Sequence, residues 1–120
     1  MTRIFELTGF QRDLLYVIAG ADRPSGQAVR REMEKHAGDV THGRLYPNLD
    51  SLVEYGLVEK GPIDKRTNAY VLTTAGAQAI ERRQRWEQQY VAPLGALSTG
   101  PAAGSAGGTP IETGEEDRSK

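Results

Sequence analysis

The chain has 120 residues, a formal net charge of −1, a sequence pI of about 6.1 and no cysteine. That length predicts one domain with a small core. The composition excludes disulfides, thiolate metal sites and thiol redox switches, and it leaves any nucleic-acid binding to local rather than global charge. No apolar run is long enough to span a bilayer, and Met1-Thr2-Arg3-Ile4 has no signal-peptide pattern, so a cytoplasmic protein is the expectation.

Residues Thr2 to Leu7 read as a short arm, either a strand or a segment lying on a partner subunit. Thr8-Gly9-Phe10-Gln11 fits a capping box, Thr at the N-cap and Gln at N3, which starts a helix that ends near Gly20. Leu7, Phe10, Leu14, Tyr16, Val17 and Ile18 give it a wide apolar face. Arg23-Pro24-Ser25-Gly26 is a turn by composition. Ser25 then caps a second helix over about residues 26–36, with Ala28, Val29, Met33 and Ala37 on its buried face and Gly38 as its stop.

The third helix organises the rest. Leu45, Leu49, Leu52 and Val53 recur at i, i+4, i+7 and i+8, one apolar stripe. Gly56 suits a left-handed C-terminal stop. Pro47 deep in a helix would cost ~3 kcal/mol, a conflict that shrinks if the helix starts near Gly43; the start is left open between Thr41 and Arg44. The opposite face carries Gly43, Arg44, Pro47 and Ser51. Leu57 to Gly61 and Ala69 to Thr73 then read as the strands of a hairpin with a long tip, Gly61 to Asn68.

Two helices joined by a short turn, the second running into a hairpin with a basic tip, form a winged helix-turn-helix. Thr73 or Thr74 caps a fourth helix from Ala75 to about Val91, with Ala79, Arg83, Trp86 and Tyr90 on one face and Ile80, Glu87 and Val91 beside it. A second copy is the simplest cover for Ile80, Arg83, Trp86 and Tyr90. The fold class expected is therefore mainly α with a small β-hairpin wing (α+β). Residues 1–73 form the DNA-binding domain, 74–92 a dimerisation helix, and 93–120, rich in Gly, Ala, Ser and Thr, a disordered tail.

An Arg in the major groove donates two bonds to guanine and an Asn pairs with adenine, which assigns base contacts to Arg44 and Asn48. Thr41 and Tyr46 hydroxyls suit phosphate oxygens, and His42 faces the same groove. Lys60, Lys65 and Arg66 suit a wing touching the backbone or minor groove. Arg3, Arg12, Arg30 and Arg31 are possible phosphate contacts that read more readily as solvated charge, and the Arg82, Arg83, Arg85 cluster reads as a solvated face. His36, Asp39 and His42 straddle a turn without a fourth ligand, so no metal site is expected. No cofactor or catalytic constellation is legible either, and the chain is not expected to be an enzyme.

Gly43-Arg44-Leu45-Tyr46-Pro47-Asn48-Leu49, followed by Leu52 and Gly56-Leu57-Val58, closely resembles the PadR-type Gly-x-Leu-Tyr-Pro-x-Leu signature. Arg66-Thr67-Asn68-Ala69-Tyr70 resembles that family's second wing strand, and Gly76 the start of its last helix. Thr8 to Leu15 is similar, more narrowly, to the small PadR-like regulators of halophilic archaea, a group that includes an oxidant-responsive member. The resemblance covers about residues 8–90. It implies a homodimer paired through the C-terminal helix, bound to double-stranded DNA at a pseudo-palindromic promoter site through Arg44, Tyr46, Asn48, Lys65 and Arg66. An oxidative-stress role would have to work without a thiol, through Met33 oxidation or a signal acting upstream. A halophile origin would also favour bound salt ions at the DNA interface, held by acids such as Asp39 or Asp64. The alternative reading is a winged-helix protein-interaction module that does not bind DNA, with the last helix as its docking face.

Overall fold

The structure, a computed structural model, describes residues 4–98. Its order is a 3-10 turn (Ile4–Glu6), α1 (Gly9–Ala19), α2 (Gly26–Ala37), α3 (His42–Glu54), β1 (Val58–Pro62), β2 (Asn68–Leu72) and α4 (Thr74–Ser98). It divides into two compact units, Met1–Arg83 and Gln84–Lys120.

Cap chemistry sets most boundaries in the first unit. Thr8 and Gln11 form the reciprocal capping box, and α1 stops at Gly20. Ser25 Oγ accepts from the Ala28 N–H to start α2, which ends at Gly38. Thr41 Oγ1 accepts from the Arg44 N–H and fixes the start of α3 at His42. At the other end of α3, Leu57 N–H bonds to the Leu52 carbonyl and Gly56 N–H to the Val53 carbonyl. With Gly56 at φ 80°, this is a Schellman stop, and Leu52 and Leu57 bury together beneath it.

The core lies between α1, α2, α3 and the hairpin, around Leu14, Leu15, Ile18, Val29, Leu45 and Leu49. Pro47 falls in the second turn of α3 rather than its first, so its missing N–H is a real defect of ~3 kcal/mol. Leu45, Leu49 and Leu52 are each fully buried, at ~1.5–3 kcal/mol apiece, and together they outweigh it.

Several expectations are corrected. The described part of the N-terminal arm is a 3-10 turn, not a strand. Leu7 N–H closes a turn on the Ile4 carbonyl, and both side chains enter the chain's own core. On α1 the buried stripe is Gln11, Leu14, Leu15 and Ile18, which leaves Tyr16, one residue around the helix, exposed. On α2, Ala37 is exposed and Val40, in the turn beyond it, is buried instead. The strands of the hairpin pair antiparallel from Val58↔Leu72 to Pro62↔Asn68, so its tip shrinks to residues 63–67. Pro62 is tolerated because β1 is an edge strand. The turn before α2 also does more than reverse the chain: Ser25 bridges to Ala69 and the Tyr70 N–H bonds to the Pro24 carbonyl, docking the hairpin on the root of α2.

Thr73, not Thr74, caps α4, through the Gly76 N–H. The helix runs through Pro93 to Ser98, past the expected stop near Val91, because Ala92, Leu94, Ala96 and Leu97 are strong helix formers around the one proline. The expected disordered tail therefore overlaps this helix over residues 93–98, and residues 99–120 lie outside the described residues, as do residues 1–3. No helix among the described residues is long and apolar enough to cross a membrane.

Candidate nucleic-acid interface

The turn between α2 and α3 is held by a side chain. Glu34 Oε2 accepts from the Val40 N–H at 3.0 Å and lies 3.5 Å from Arg30 Nε. The Val40 N–H, with Arg30 beside it, holds the Glu34 carboxyl below the usual carboxylate range. With the turn fixed, the exposed N-terminal turn of α3 presents Thr41, His42, Gly43 and Arg44 to solvent.

Arg44 is not a loose cation. Its guanidinium carbon sits 3.9 Å from the centroid of the Phe10 ring on α1, a cation–π contact that limits where the fork points. Asn48 is tied down as well. Its Oδ1 accepts from Gln11 Nε2 at 3.0 Å and its Nδ2 donates to the Arg44 carbonyl at 2.7 Å. Gln11 Oε1 in turn accepts from the Thr8 N–H. One chain of bonds thus runs from the cap of α1 to the middle of α3. Asn48 keeps a second N–H and a second oxygen lone pair for another partner.

His42 and Tyr46 stack one turn apart, with ring centroids 4.4 Å apart. Tyr46 is half-buried and leans on the first turn of α2: a Cβ added at Gly26 would lie 2.6 Å from its hydroxyl. In the wing tip, Asp64 Oδ1 accepts from the Arg66 and Thr67 N–H groups at 2.8 and 2.9 Å. Those bonds hold the Asp64 carboxyl below its ordinary range and set the exposed Lys65 and Arg66 at the tip. Lys60 is not at the tip. It lies in β1, where its Nζ is 3.5 Å from Asp50 of α3, an exposed pair worth ~0–1 kcal/mol.

On α4, Ile80 packs partly on the core of its own unit and the Arg83 guanidinium lies 5.2 Å from the Phe5 ring centroid. In the second unit Trp86 and Tyr90 stack at 5.1 Å, and both are exposed, with Val91 and Leu94.

Phe10 and Gln11 are the residues that sequence reasoning missed at this site. Phe10 read as core and Gln11 as a cap partner only. The available signal was a polar residue on the apolar face of α1, where burial demands a hydrogen-bond partner. Gln11→Leu is expected to leave the fold standing, since its volume is kept, while removing the restraint on Asn48. Affinity for a specific DNA site should fall by roughly 1 kcal/mol, about fivefold, for the lost hydrogen bond, with non-specific binding unchanged. Fluorescence-anisotropy titrations on specific and scrambled duplexes check this; equal losses on both would contradict it.

Comparison with known proteins gives a family and a fold. The family model described as transcriptional regulator PadR-like family matches residues 14–82, more than half of the chain. A complex structure of hsRosR-S1 is 45% identical, with a TM-score of 0.71, and the match covers 76% of this chain and 82% of that one. RosR of Halobacterium salinarum, from crystals grown with NaBr, is 47% identical, with a TM-score of 0.67, over 70% of this chain and 76% of that one. F93 from STIV, a winged-helix DNA-binding protein, is 21% identical, with a TM-score of 0.58, over 72% of this chain and 96% of that one, and adds support for the fold alone. Comparison with curated proteins finds no significant match.

Proposed function

The chain belongs to the PadR-like family of transcriptional regulators, and on that premise we propose that it works as a homodimer on a pseudo-palindromic promoter site in the cytoplasm, without catalytic activity. The α3 helices of the dimer enter successive major grooves about one helical turn apart. The observation that supports this most is the pairing of an exposed, restrained Arg44 at the start of α3 with the cationic tip Lys65–Arg66, the former suited to base edges and the latter to phosphates. Thr41, His42, Tyr46, Asn48 and Lys60 complete the interface. The dimer forms through α4, with Ile80, Arg83, Trp86 and Tyr90 at the contact.

The regulated process we propose is the response of a halophilic cell to oxidants. Met33 is 4% exposed, so a sulfoxide there would act by placing a polar group in the core; a signal received upstream leaves the fold intact. At high salt, cations held by Asp39 and Asp64 bridge to phosphates. A steep negative salt slope, the ordinary counterion-release result, would contradict that bridging.

The two cation sites should separate in a titration of promoter DNA against scrambled DNA. Arg44→Ala is expected to cost ~1–3 kcal/mol on the specific site and to relax sequence preference. Lys65→Ala should weaken both duplexes alike and reduce the salt slope by about one. Equal behaviour of the two variants would overturn this division of roles. Failure of the wild-type chain on all genomic fragments would overturn the DNA reading in favour of a protein-interaction module.

A further inference from the structure

Between the first turn of α2, Tyr46 of α3 and the root of β2 lies a cleft of about 400 Å³. Its charged lining residues are Arg31 and Arg66, and no carboxylate lines it. Tyr70 lines the same cleft. It is 2% exposed, yet its hydroxyl has no hydrogen-bond partner among the described residues. Buried polar groups are nearly always paired, and one left open at a cleft points to a missing partner. Burial, with Asp50 and Tyr46 nearby, pushes the Tyr70 phenol up to about 12, so it stays a donor at physiological pH.

The first turn of α2 adds to the same end. Its Ala28 and Val29 N–H groups are used by Ser25, but the Gln27 N–H has no partner in the helix, and the helix dipole places partial positive charge there. The Tyr46 hydroxyl reaches this turn only because residue 26 has no Cβ. Cations, a helix start and an open buried donor converge on one space, and the ligand class they suit is a phosphate anion. With a net charge of −1 the chain has no global pull on DNA, so its grip depends on local sites of this kind.

We propose that this cleft seats one phosphodiester phosphate of the DNA backbone, held by Arg31, Arg66 and Tyr70, with the Gln27 N–H and the Tyr46 hydroxyl as further donors. The assignment rests on the DNA reading above and extends the contact surface from α3 and the wing tip to the root of α2. A free phosphate anion has the same chemistry, so the test separates the two.

The full-length chain is titrated with promoter duplexes carrying a single methylphosphonate at each position in turn, and inorganic phosphate serves as the free-anion probe. Tyr70→Phe is expected to melt at the same temperature or higher, since it removes an unpaired buried hydroxyl, and still to bind duplex about tenfold more weakly. A merely structural tyrosine would not give that pair of results. Arg31→Gln should lower the salt slope by about one. A methylphosphonate at one position in each half-site should weaken the wild-type chain about tenfold and weaken Arg31→Gln, which has already lost one of the seat's two cations, by a smaller factor at that same position. If both variants bind as the wild type does and no position distinguishes them, the seat is overturned while the regulator reading stands. If the wild type binds no genomic DNA, the regulator reading falls. Inorganic phosphate that then shifts the Gln27 amide resonance of the wild type, but not of Arg31→Gln, would assign the cleft to a free anion and overturn its assignment to DNA.

Discussion

Gly76→Ala is expected to lower the melting temperature by about 10 °C, although it replaces the poorer helix former with the best one. Alanine gains ~1 kcal/mol of helix propensity at an α4 position. Its Cβ, however, would run into the backbone carbonyl of Leu57 and come within 2.9 Å of Leu72 Cδ1. The side chain can move, but the carbonyl is fixed: Leu57 O accepts the Thr73 N–H at 3.0 Å, and Thr73 Oγ1 is bonded to the Gly56 carbonyl next to it. Relief of the clash therefore separates the start of α4 from the end of α3. Overpacking of ~1–3 kcal/mol adds to a lost hydrogen bond of ~0.5–1.5 kcal/mol, and the sum exceeds the propensity gain. Gly9→Ala is the control, because a Cβ there meets nothing within 4 Å and the change should be neutral or slightly stabilising. Thermal unfolding followed by circular dichroism decides it, and equal melting of the two variants would show that the approach at Gly76 carries no weight.

If α4 forms the proposed dimer, Tyr90→Asp combined with Leu94→Asp should give a folded monomer that binds promoter DNA roughly 100- to 10,000-fold more weakly than the wild type. Within the second unit Trp86, Tyr90, Val91 and Leu94 recur at i, i+4, i+5 and i+8, one apolar stripe. Tyr90 is 62% exposed and Leu94 52%. A contiguous stripe of large apolar side chains on a helix is a surface for another chain. Charges placed on it should prevent pairing without touching the Leu45–Leu49–Leu52 core. The DNA penalty follows from geometry: two linked half-site contacts gain roughly 10²–10⁴ from effective concentration, and a monomer forfeits all of it. Sedimentation gives the mass and an anisotropy titration the affinity. A double variant that sediments as a dimer would remove α4 from the interface; a monomer with undiminished affinity would remove dimerisation from the mechanism.

Much of this protein was legible because its signals are local. The Thr8–Gln11 box, the Ser25 cap, the leucine stripe of α3 and the Gly56 stop each depend on residues within two turns of one another. Cap chemistry and a 3.6-residue period are written at that range. The Gly-x-Leu-Tyr-Pro-x-Leu resemblance added the family, which the match over residues 14–82 establishes. The N-terminal arm was not legible for the same reason: Ile4 and Phe5 interrupt the alternation a strand needs, and nothing local says that Ile4 and Leu7 both find the core. The end of α4 was not legible because Pro93 and Gly95 are local stop signals, and the helix formers around them carry it on to Ser98.

What the sequence alone determined is the order of the helices and the hairpin, the caps of α1 and α2, the buried face of α3 and its stop at Gly56. The tertiary structure decided what those elements hold in place. Gln11 meets Asn48 across 37 residues, Phe10 meets Arg44, Tyr46 lies over Gly26 and Gly76 over Leu57, and the Pro24 carbonyl takes the Tyr70 N–H. Each contact joins elements that are far apart in the chain, and no periodicity or cap specifies which residues of two distant surfaces will touch. That is fixed only when the apolar faces pack at native density and every buried polar group must find a partner in the space that remains.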